Sequence, residues 1–299
     1  MRFAVSGSSG LVGRALCRQL ASEGDGLIRI VRRATGSGEE AVWDTSSDTL
    51  ETDELEGIDA LVHLAGENIV GRWTRSKRER ILSSRVKGTR AMCQAMSKMR
   101  DPPKVFLCAS AVGYYGDTGD RIVTEEQPSG DCFLSEVARA WESGAKEAAA
   151  SGVRVVSLRI GVVLGLEGGA LQKLLLPFKL GLGGRIGGGQ QYMSWISVGD
   201  MARTILFAAR TPALSGPVNC TAPHPVTNAE FARTLGKLLQ RPTILPLPGW
   251  LLKLALGQMG RETLLSGTRV FPTRLERAGF RFDHEHLEDA LRAILARPG

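Results

Sequence analysis

The glycine-rich turn at the start of the chain constrains the fold more than any other feature. The stretch VSGSSGLVGRAL places Gly7, Gly10 and Gly13 between a short apolar strand and an amphipathic helical segment. Glycines in this context permit a tight turn, let backbone N–H groups approach a pyrophosphate, and let the helix pack closely on the strand. An ordinary glycine-rich turn is the alternative, but the position at residue 7 between strand and helix favours a dinucleotide site. We predict that seven consecutive residues contact the dinucleotide: Gly7, Ser8, Ser9, Gly10, Leu11, Val12 and Gly13.

Strand-like and helical segments alternate along the first half of the chain. The apolar runs RFAVSG, ALVHLAG and VRVVSLRIG are separated by helical stretches, one of them running from Lys77 to Met99. Strands that are apolar throughout are typical of a parallel sheet covered on both faces by helices. We therefore predict an α/β fold built on a doubly wound parallel sheet.

The second half of the chain has a different character from about Gly165 onward. It begins with the glycine-dense stretch LPFKLGLGGRIGGGQQYMSWISVGD, and helical segments separated by Pro and Gly follow. We predict a dinucleotide-binding core over residues 1–165. Residues 166–299 are predicted to form mainly a smaller substrate lobe and a C-terminal helical region, with some segments returning to the core.

Composition excludes several classes of function for a chain of 299 residues. Lys and Arg number 38 against 31 Asp and Glu, but the charges are interspersed, which favours small anions over nucleic acid. The five Cys are far apart and have no metal-type spacing to the four His, so we predict a reduced, cytoplasmic protein without a metal site. The first residues lack a signal-peptide pattern, and no apolar run reaches the ~18 residues of a membrane span. We predict no membrane partner, and the oligomeric state stays open.

The second strand indicates which dinucleotide is bound. LIRIVRR ends in Arg32 and Arg33, where a protein that prefers NAD more often has an acidic residue for the ribose hydroxyls. Two guanidinium groups suit a 2′-phosphate, so we predict NADP, with a solvated surface pair as the alternative. Asp44 closes the strand AVWD and either hydrogen-bonds the adenine or caps a turn.

The strand ALVHLAGENI ends in small residues at the edge where open α/β sheets bind ligands. Leu64, Ala65, Gly66 and Glu67 are therefore predicted to line the cofactor. His63 lies within the strand and is expected to be a packed core histidine rather than a catalyst.

These motifs, together with ASAVGYYG and LRIGVVLG, resemble the extended short-chain dehydrogenase/reductases. The resemblance is closer to one atypical branch, the epimerase-family or sugar-nucleotide-epimerase-like proteins, through HLAGENI, LLPFKLGLGGRIGGGQQ, WISVGD and GTRVFPTRLERAGFRF. It covers essentially the whole chain. It implies a Rossmann domain that binds NADP, followed by a small C-terminal substrate lobe.

The resemblance also implies roles for single residues. Arg85 is expected to reach the cofactor or a ligand phosphate, with a solvated helix face as the equal alternative. Arg159 is expected to be structural. The segment beside the nicotinamide is implied to include Ile160, Gly161 and Val163.

The acid and base of the family are missing. Extended members carry a Ser or Thr before a Tyr-Gly pair, then a Tyr and a Lys four residues apart on the next helix. Here Ser110 is one residue out of register, and Phe133 and Val137 occupy the Tyr and Lys positions. Neither apolar side chain transfers a proton, so the family mechanism does not carry over.

Other groups are candidates for that chemistry. We predict three catalytic residues, Ser110, Tyr114 and Tyr115, and Ser110 is also expected to hydrogen-bond the nicotinamide. Glu136 and Glu142 are expected to face solvent. Two functions stay open: an NADP-dependent oxidoreductase or epimerase-like enzyme, and a sensor or regulatory protein that responds to NADP(H) without turnover.

The loop from Pro177 to Asp200 is predicted to contact the substrate. Cations, amides and aromatics on this glycine-rich loop suit a small-molecule substrate that is phosphorylated or nucleotide-linked, with an ordinary flexible loop as the alternative. These residues are Lys179, Arg185, Gln190, Gln191, Tyr192 and Trp195. Asp200 and Asn228 are each expected to cap a helix.

Overall fold

The computed structural model describes residues 1–36 and 38–296. The strands are β1 (Arg2–Ser6), β2 (Gly26–Val31), β3 (Glu39–Asp44), β4 (Thr49–Leu50), β5 (Ala60–His63), β6 (Val105–Ala111), β7 (Ile122–Val123), β8 (Arg154–Ile160), β9 (Val162–Leu164), β10 (Tyr192–Met193), β11 (Trp195–Ser197), β12 (Gly216–Cys220), β13 (Val226–Thr227) and β14 (Arg269–Val270). The helices are α1 (Leu11–Glu23), α2 (Arg75–Lys98), α3 (Phe133–Ala145), α4 (Gly169–Lys179), α5 (Val198–Arg210), α6 (Asn228–Leu239), α7 (Gly249–Leu256), α8 (Gln258–Thr263), α9 (Thr273–Arg277) and α10 (Leu287–Ala296).

The main sheet confirms the predicted doubly wound architecture. Within the described residues it has eight strands in the order β12-β8-β6-β5-β1-β2-β3-β4. Neighbouring strands run parallel except for the edge pair β3 and β4, which is antiparallel. The chain moves from β1 to β2 on one side and later returns to β5 on the other. The carboxyl ends of β1 and β5 therefore flank the crevice where open α/β sheets bind ligands.

Helices cover both faces of this sheet. On one face, Leu16 and Leu20 of α1 and Ile205 of α5 are fully buried against the sheet. On the other, Met92 of α2 and Trp141 of α3 are buried in a second cluster. Each helix buries one apolar stripe, as its sequence period requires.

The second half of the chain contributes to two layers. α5 packs against α1, and β12 joins the main sheet beside β8. A separate apolar cluster assembles α4, α6 and α10 around Trp195. In the described part of the chain, no helix combines the length and apolar character needed to cross a bilayer.

Two predicted helix caps are wrong by a few residues. Ser197, not Asp200, is the N-cap of α5, and its side chain accepts a hydrogen bond from the Asp200 backbone N–H. The Asp200 carboxylate is instead fully buried and pairs with Arg203. Thr227, not Asn228, caps α6. Hydroxyl side chains one and three residues earlier satisfy these helix ends, which the sequence pattern alone did not distinguish.

Candidate functional site

The turn between β1 and α1 requires glycine at two of its predicted positions. Gly7 has a φ of +73°, and a Cβ atom there would lie 2.8 Å from the backbone nitrogen of Ala65. A Cβ at Gly13 would lie 2.2 Å from the carbonyl oxygen of Gly7. Gly10, the N-cap of α1, has no side chain to occupy the first-turn N–H groups. The turn therefore presents free backbone donors at a helix N-terminus, the arrangement that binds phosphate groups.

A cleft of about 610 Å³ opens at the carboxyl ends of β1, β2, β3 and β5. It brings together the following residues predicted to bind the cofactor: Gly7, Ser8, Ser9, Gly10, Arg32, Leu64, Ala65, Gly66 and Glu67. Other predicted residues are not part of its lining: Leu11, Val12, Gly13, Arg33, Asp44, Arg85, Ser110, Ile160, Gly161 and Val163. The lining consists of the glycine turn, the end of β2, the residues that follow β5 and part of α2 and of the β3–β4 region.

Only one of the two arginines that follow β2 lines the cleft. Both side chains are exposed, and Arg32 lines the cleft while Arg33 lies outside the lining. Among the described residues, neither has a carboxylate partner, so no ion pair competes with a bound anion. Lys87 of α2 also lines the cleft and adds a second cation to it.

One wall of the cleft, supplied by α2 and the β3–β4 region, was not predicted from the sequence. These additional lining residues are Ile30, Trp43, Thr45, Asp48, Ser83, Ser84, Lys87 and Gly88. The spacing 83, 84, 87, 88 places four of them on one helical face, a signal that was present in the sequence. Gly88 permits the close packing of this face, because a Cβ there would lie 2.9 Å from the Trp43 ring and 3.1 Å from His63 Nε2.

Asp44 is held by a turn of its own. Its carboxylate accepts hydrogen bonds from the Ser46 hydroxyl (2.6 Å) and backbone N–H (2.8 Å) and from the Ser47 hydroxyl (2.7 Å). The Ser46 and Ser47 hydroxyls lower its pKa to about 2. The turn-capping alternative is therefore the arrangement present in the structure.

Arg85 supports the loop that follows β5. Its guanidinium donates to the Glu67 carbonyl at 3.1 Å and lies 4.8 Å from the centre of the Trp141 ring. Burial lowers its pKa to about 10. Arg85 is thus half-buried beneath the loop of Ala65, Gly66 and Glu67 rather than on a solvated helix face.

His63 is a core residue, as predicted. It is fully buried, and its Nδ1 lies 2.7 Å from the Ser6 hydroxyl oxygen. Burial lowers its pKa to about 4 from the usual 6.5.

This burial predicts a specific pH dependence of stability. Between pH 6.5 and 4 the unfolded chain protonates this histidine while the folded chain does not, so acidification favours unfolding. Because of His63, we expect the free energy of unfolding to fall by ~1.5 kcal/mol between pH 6.5 and pH 5, an interval that lies mostly above the pKa values of carboxyl groups. Denaturant unfolding of His63→Asn should show a correspondingly flatter slope in this interval, and the exposed His224→Asn should not. An unchanged slope in His63→Asn would contradict the assignment.

A buried polar network lies next to the strand end that carries Ser110. The Ser110 hydroxyl donates to Glu142 Oε1 at 2.8 Å, and both residues are buried. Arg159 donates to both oxygens of the same carboxylate, at 2.8 and 2.9 Å. The prediction that Glu142 faces solvent is therefore wrong, because the guanidinium of β8 and the hydroxyl of β6 satisfy its charge inside the protein.

The two predicted tyrosines differ in their surroundings. Tyr115 is buried; its hydroxyl donates to Asn219 Oδ1 at 2.7 Å and accepts from Arg159 at 2.9 Å. Burial raises the pKa of Tyr115 to about 12. Tyr114 is half-buried, with the Arg159 guanidinium 3.5 Å from its ring centre, and no described residue hydrogen-bonds its hydroxyl. Of the three predicted catalytic hydroxyls, Tyr114 alone has no protein partner within the described chain.

The face of α3 that matches the family's Tyr and Lys positions is apolar. Phe133 packs edge-on against Trp73, with ring centres 5.1 Å apart. Val137 is buried in a cluster with Trp73, Ile81 and Met259. This face makes packing contacts and supplies no proton donor.

The C-terminal region holds the start of α3 in place. Glu262 of α8 accepts a hydrogen bond from the backbone N–H of Leu134 at 3.2 Å, and Gln258 donates to the other oxygen of Glu262 at 2.7 Å. Cys132, the N-cap of α3, makes no side-chain capping bond. A carboxylate from α8 therefore caps the helix from outside, which also suits its dipole.

Several side chains of the predicted substrate loop are hydrogen-bonded or buried within the protein. The Gln191 amide donates to the Ile186 and Leu264 carbonyls, and Trp195 is fully buried. Tyr192 is half-buried beneath the Arg269 guanidinium, 4.8 Å from its ring centre. The exposed members of the predicted set are Lys179, Arg185 and Gln190.

One group of metal-type ligands was not predicted. His224, Glu285 and His286 are exposed, and their ligand atoms lie within 4.8 Å of one another. The sequence separates them by about sixty residues, which is why spacing did not reveal the group. None of the three lines the cleft at the sheet.

Comparisons with known proteins agree with this geometry. A family model described as the NAD dependent epimerase/dehydratase family matches residues 3–220, and a domain of unknown function (DUF1731) matches residues 247–294. An epimerase family protein of Mycobacterium leprae is 42% identical over 99% of this chain and 96% of its own length. The human epimerase family protein SDR39U1 is 37% identical over 99% of this chain and all of its own length. A crystal structure of human SDR39U1 with NADPH superposes with a TM-score of 0.91 at 36% identity, covering 98% of this chain and 99% of that one.

Proposed function

Because the chain belongs to the NAD dependent epimerase/dehydratase family, in an atypical extended short-chain dehydrogenase/reductase branch, we propose that it binds NADP(H) and transfers hydride to or from a small or nucleotide-linked substrate. In this proposal the reaction is of the oxidoreductase or epimerase type and proceeds without a tyrosine–lysine pair.

The observation that carries the cofactor proposal is the cleft at the switch point of the sheet. The cleft is lined by the glycine turn and by Arg32 and Lys87, neither of which forms an ion pair with a described carboxylate. Two cations beside a phosphate-binding turn suit the additional phosphate of NADP. The human relative that was crystallised with NADPH supports the same cofactor.

The cofactor residues follow from this placement. Gly7, Ser8 and Ser9 would hold the pyrophosphate through backbone N–H groups, while the Gly10 N–H donates to the Gly7 carbonyl at 3.0 Å and closes the turn. Leu64 to Glu67 would lie along the cofactor at the end of β5. Bound NADP(H) supplies the hydride chemistry, and the chain's own residues supply orientation and the proton.

We assign the transfer of a proton to or from the substrate to the Tyr114 hydroxyl. The Ser110 and Tyr115 hydroxyl protons are each donated to a buried acceptor, Glu142 and Asn219. The raised pKa of Tyr115 further disfavours proton release from that residue. Arg159 lies against the Tyr114 ring, 3.5 Å from its centre, and this contact holds the ring in position.

The arginine pair can be tested by binding. We expect Arg32→Ala with Arg33→Ala to weaken NADPH binding tenfold to about a hundredfold while NADH binding changes little, because only NADPH carries the phosphate. Fluorescence titration of both nucleotides measures the two dissociation constants. Arg90→Ala with Arg100→Ala is the matched control, since both arginines are exposed and lie outside the cleft lining. An unchanged preference for NADPH in the first variant would place phosphate recognition elsewhere.

Turnover tests the enzymatic part of the proposal. Purified protein is incubated with NADPH and a panel of carbonyl substrates, including nucleotide-linked keto-sugars, and NADPH oxidation is followed by absorbance. We expect Tyr114→Phe to lower the rate at least about tenfold. This is a minimum, because proton transfer by a positioned side chain typically contributes about a hundredfold or more. Its NADPH dissociation constant should stay the same. Equal rates in Tyr114→Phe and the native protein would remove Tyr114 from the mechanism.

A second candidate function is a non-catalytic NADP(H)-responsive sensor. The apolar face of α3, with Phe133 and Val137 in packing contacts, favours it. No turnover with any substrate of the panel, together with a protein partner whose affinity depends on NADP(H), would support the sensor over the enzyme.

A further inference from the structure

An exposed apolar surface covers one side of the C-terminal region. Most of the large apolar side chains that the described residues expose lie in two segments, 176–182 and 244–254. We call these residues the apolar face: Leu176, Leu180, Leu182, Ile244, Leu245, Leu247, Trp250, Leu251 and Leu254. Their exposed fractions range from 39% at Leu247 to 84% at Ile244. Apolar side chains clustered in this way mark an interaction surface.

The two segments lie side by side. The backbone N–H of Leu247 donates to the Arg185 carbonyl at 2.8 Å, and the Gly187 N–H donates to the Leu247 carbonyl at 2.9 Å. The Arg241 guanidinium donates to the Lys179 carbonyl at 2.8 Å. The two segments that carry the apolar face are therefore neighbours in the fold.

The two stretches of chain that carry this surface contain basic but no acidic residues. Residues 168–199 and 231–261 contain no Asp or Glu, although the whole chain has 31. Lys179, Arg241 and Lys253 are exposed in these segments, and no described carboxylate forms an ion pair with them. The surface thus combines apolar side chains with unneutralised cations.

From this combination we propose that the apolar face docks on an anionic lipid membrane. Exposed leucines and a tryptophan enter the boundary between headgroups and acyl chains, while lysine and arginine attract anionic headgroups. α7 supplies the centre of this contact, because Trp250, Leu251 and Leu254 point outward while Leu252 is buried beneath them. The protein rests on the membrane without crossing it.

A second copy of the chain fits the same surface less well. A symmetric dimer through the apolar face would bring Lys179, Arg241 and Lys253 of one copy toward the same cations of the other, with no acidic residue in either segment to offset them. Like charges brought together oppose association. The proposal departs from the sequence prediction, which excluded a membrane partner because no apolar run is long enough to span one. It does not depend on the proposed enzymatic function.

Vesicle binding of the full chain tests the proposal. We expect the protein to sediment with vesicles that contain phosphatidylglycerol and not with pure phosphatidylcholine, and to be released at high salt. Tryptophan fluorescence reports the site directly, because Trp250 is 68% exposed whereas Trp43, Trp73, Trp141 and Trp195 are all buried. Binding should shift the emission to shorter wavelength, and Trp250→Phe should remove this shift while vesicle binding remains.

Variants separate charge from apolar contact. Lys179→Gln with Lys253→Gln should lower the affinity for anionic vesicles about twenty-five-fold, since each cation near such a surface contributes about fivefold. Arg90→Gln with Lys98→Gln, two exposed cations of α2, is the matched control and should bind as the native chain does. Leu180→Ser with Leu254→Ser should also weaken binding, whereas Val86→Ser, exposed on α2, should not.

Three results would overturn the proposal. One is failure of the native chain to bind anionic vesicles at low salt. Another is an equal loss of affinity in the α2 controls and the variants of the apolar face. The third is a dimer in sedimentation velocity without lipid, with the Trp250 emission already shifted, which would assign the surface to a second copy. The fluorescence of the native chain decides the matter even where a leucine variant folds poorly.

Discussion

Replacing Glu142 with Gln is expected to lower the free energy of unfolding by ~3–5 kcal/mol, because it leaves the guanidinium of Arg159 without a counter-charge inside the protein. Both oxygens of Glu142 accept hydrogen bonds from Arg159, and both residues are buried. Urea unfolding of the variant and the native chain measures the difference.

Two further variants make this test specific. Glu147→Gln, an exposed carboxylate two residues beyond the end of α3, should change the free energy of unfolding by less than ~0.5 kcal/mol. Glu142→Leu with Arg159→Met replaces both charges and should cost less than Glu142→Gln alone, because no unpaired charge remains. A loss below ~1 kcal/mol in Glu142→Gln would contradict the paired-charge account.

The second large effect is expected at the turn between β1 and α1. Gly7→Ala should remove the stabilisation by NADPH, which in the native protein reaches ~2.7 kcal/mol at a hundredfold excess of nucleotide over the dissociation constant. The added Cβ would lie 2.8 Å from the Ala65 nitrogen and would sit on a residue with a φ of +73°. Either the turn or the end of β5 has to move, and both line the cleft. Thermal unfolding with and without NADPH measures the effect.

Gly24 provides the matched control for this variant. It has nearly the same φ, +72°, but a Cβ there meets nothing within 4 Å, and it ends α1 far along the helix from the cleft. Gly24→Ala therefore carries the backbone strain of Gly7→Ala without its collision. It should be modestly less stable and should keep its full response to NADPH. A normal NADPH response in Gly7→Ala would refute the assignment of the turn to phosphate binding.

The sheet and the turn could be predicted because their signals are local. The apolar runs of β1, β5 and β8 and the glycines of the first turn follow from chain geometry over a few residues. The residues that close the cleft from α2 were within reach too, since Ser83, Ser84 and Lys87 share one helical face. They were missed because no motif draws attention to them.

The polar network around Glu142 could not be predicted from the sequence, for a different reason. Glu142 is on a helix and Arg159 is on a strand seventeen residues later, and only the packing of α3 on the sheet brings them together. An isolated glutamate on an amphipathic helix is usually solvated, so the sequence pattern indicated an exposed Glu142 rather than a buried one. The same packing decides that Ser110 and Tyr115 donate to interior acceptors while Tyr114 does not.

The capping of α3 by Glu262 affects where this chain can be divided. The region that matches the domain of unknown function begins at residue 247 and carries Met259, which is buried against Val137, as well as the carboxylate that caps α3. β14, from the same region, pairs with β7. A chain shortened at residue 246 would leave the Leu134 N–H without its carboxylate acceptor and would remove Met259 from the cluster around Val137. The two matched regions are therefore not independent folding units, and they are expected to unfold together.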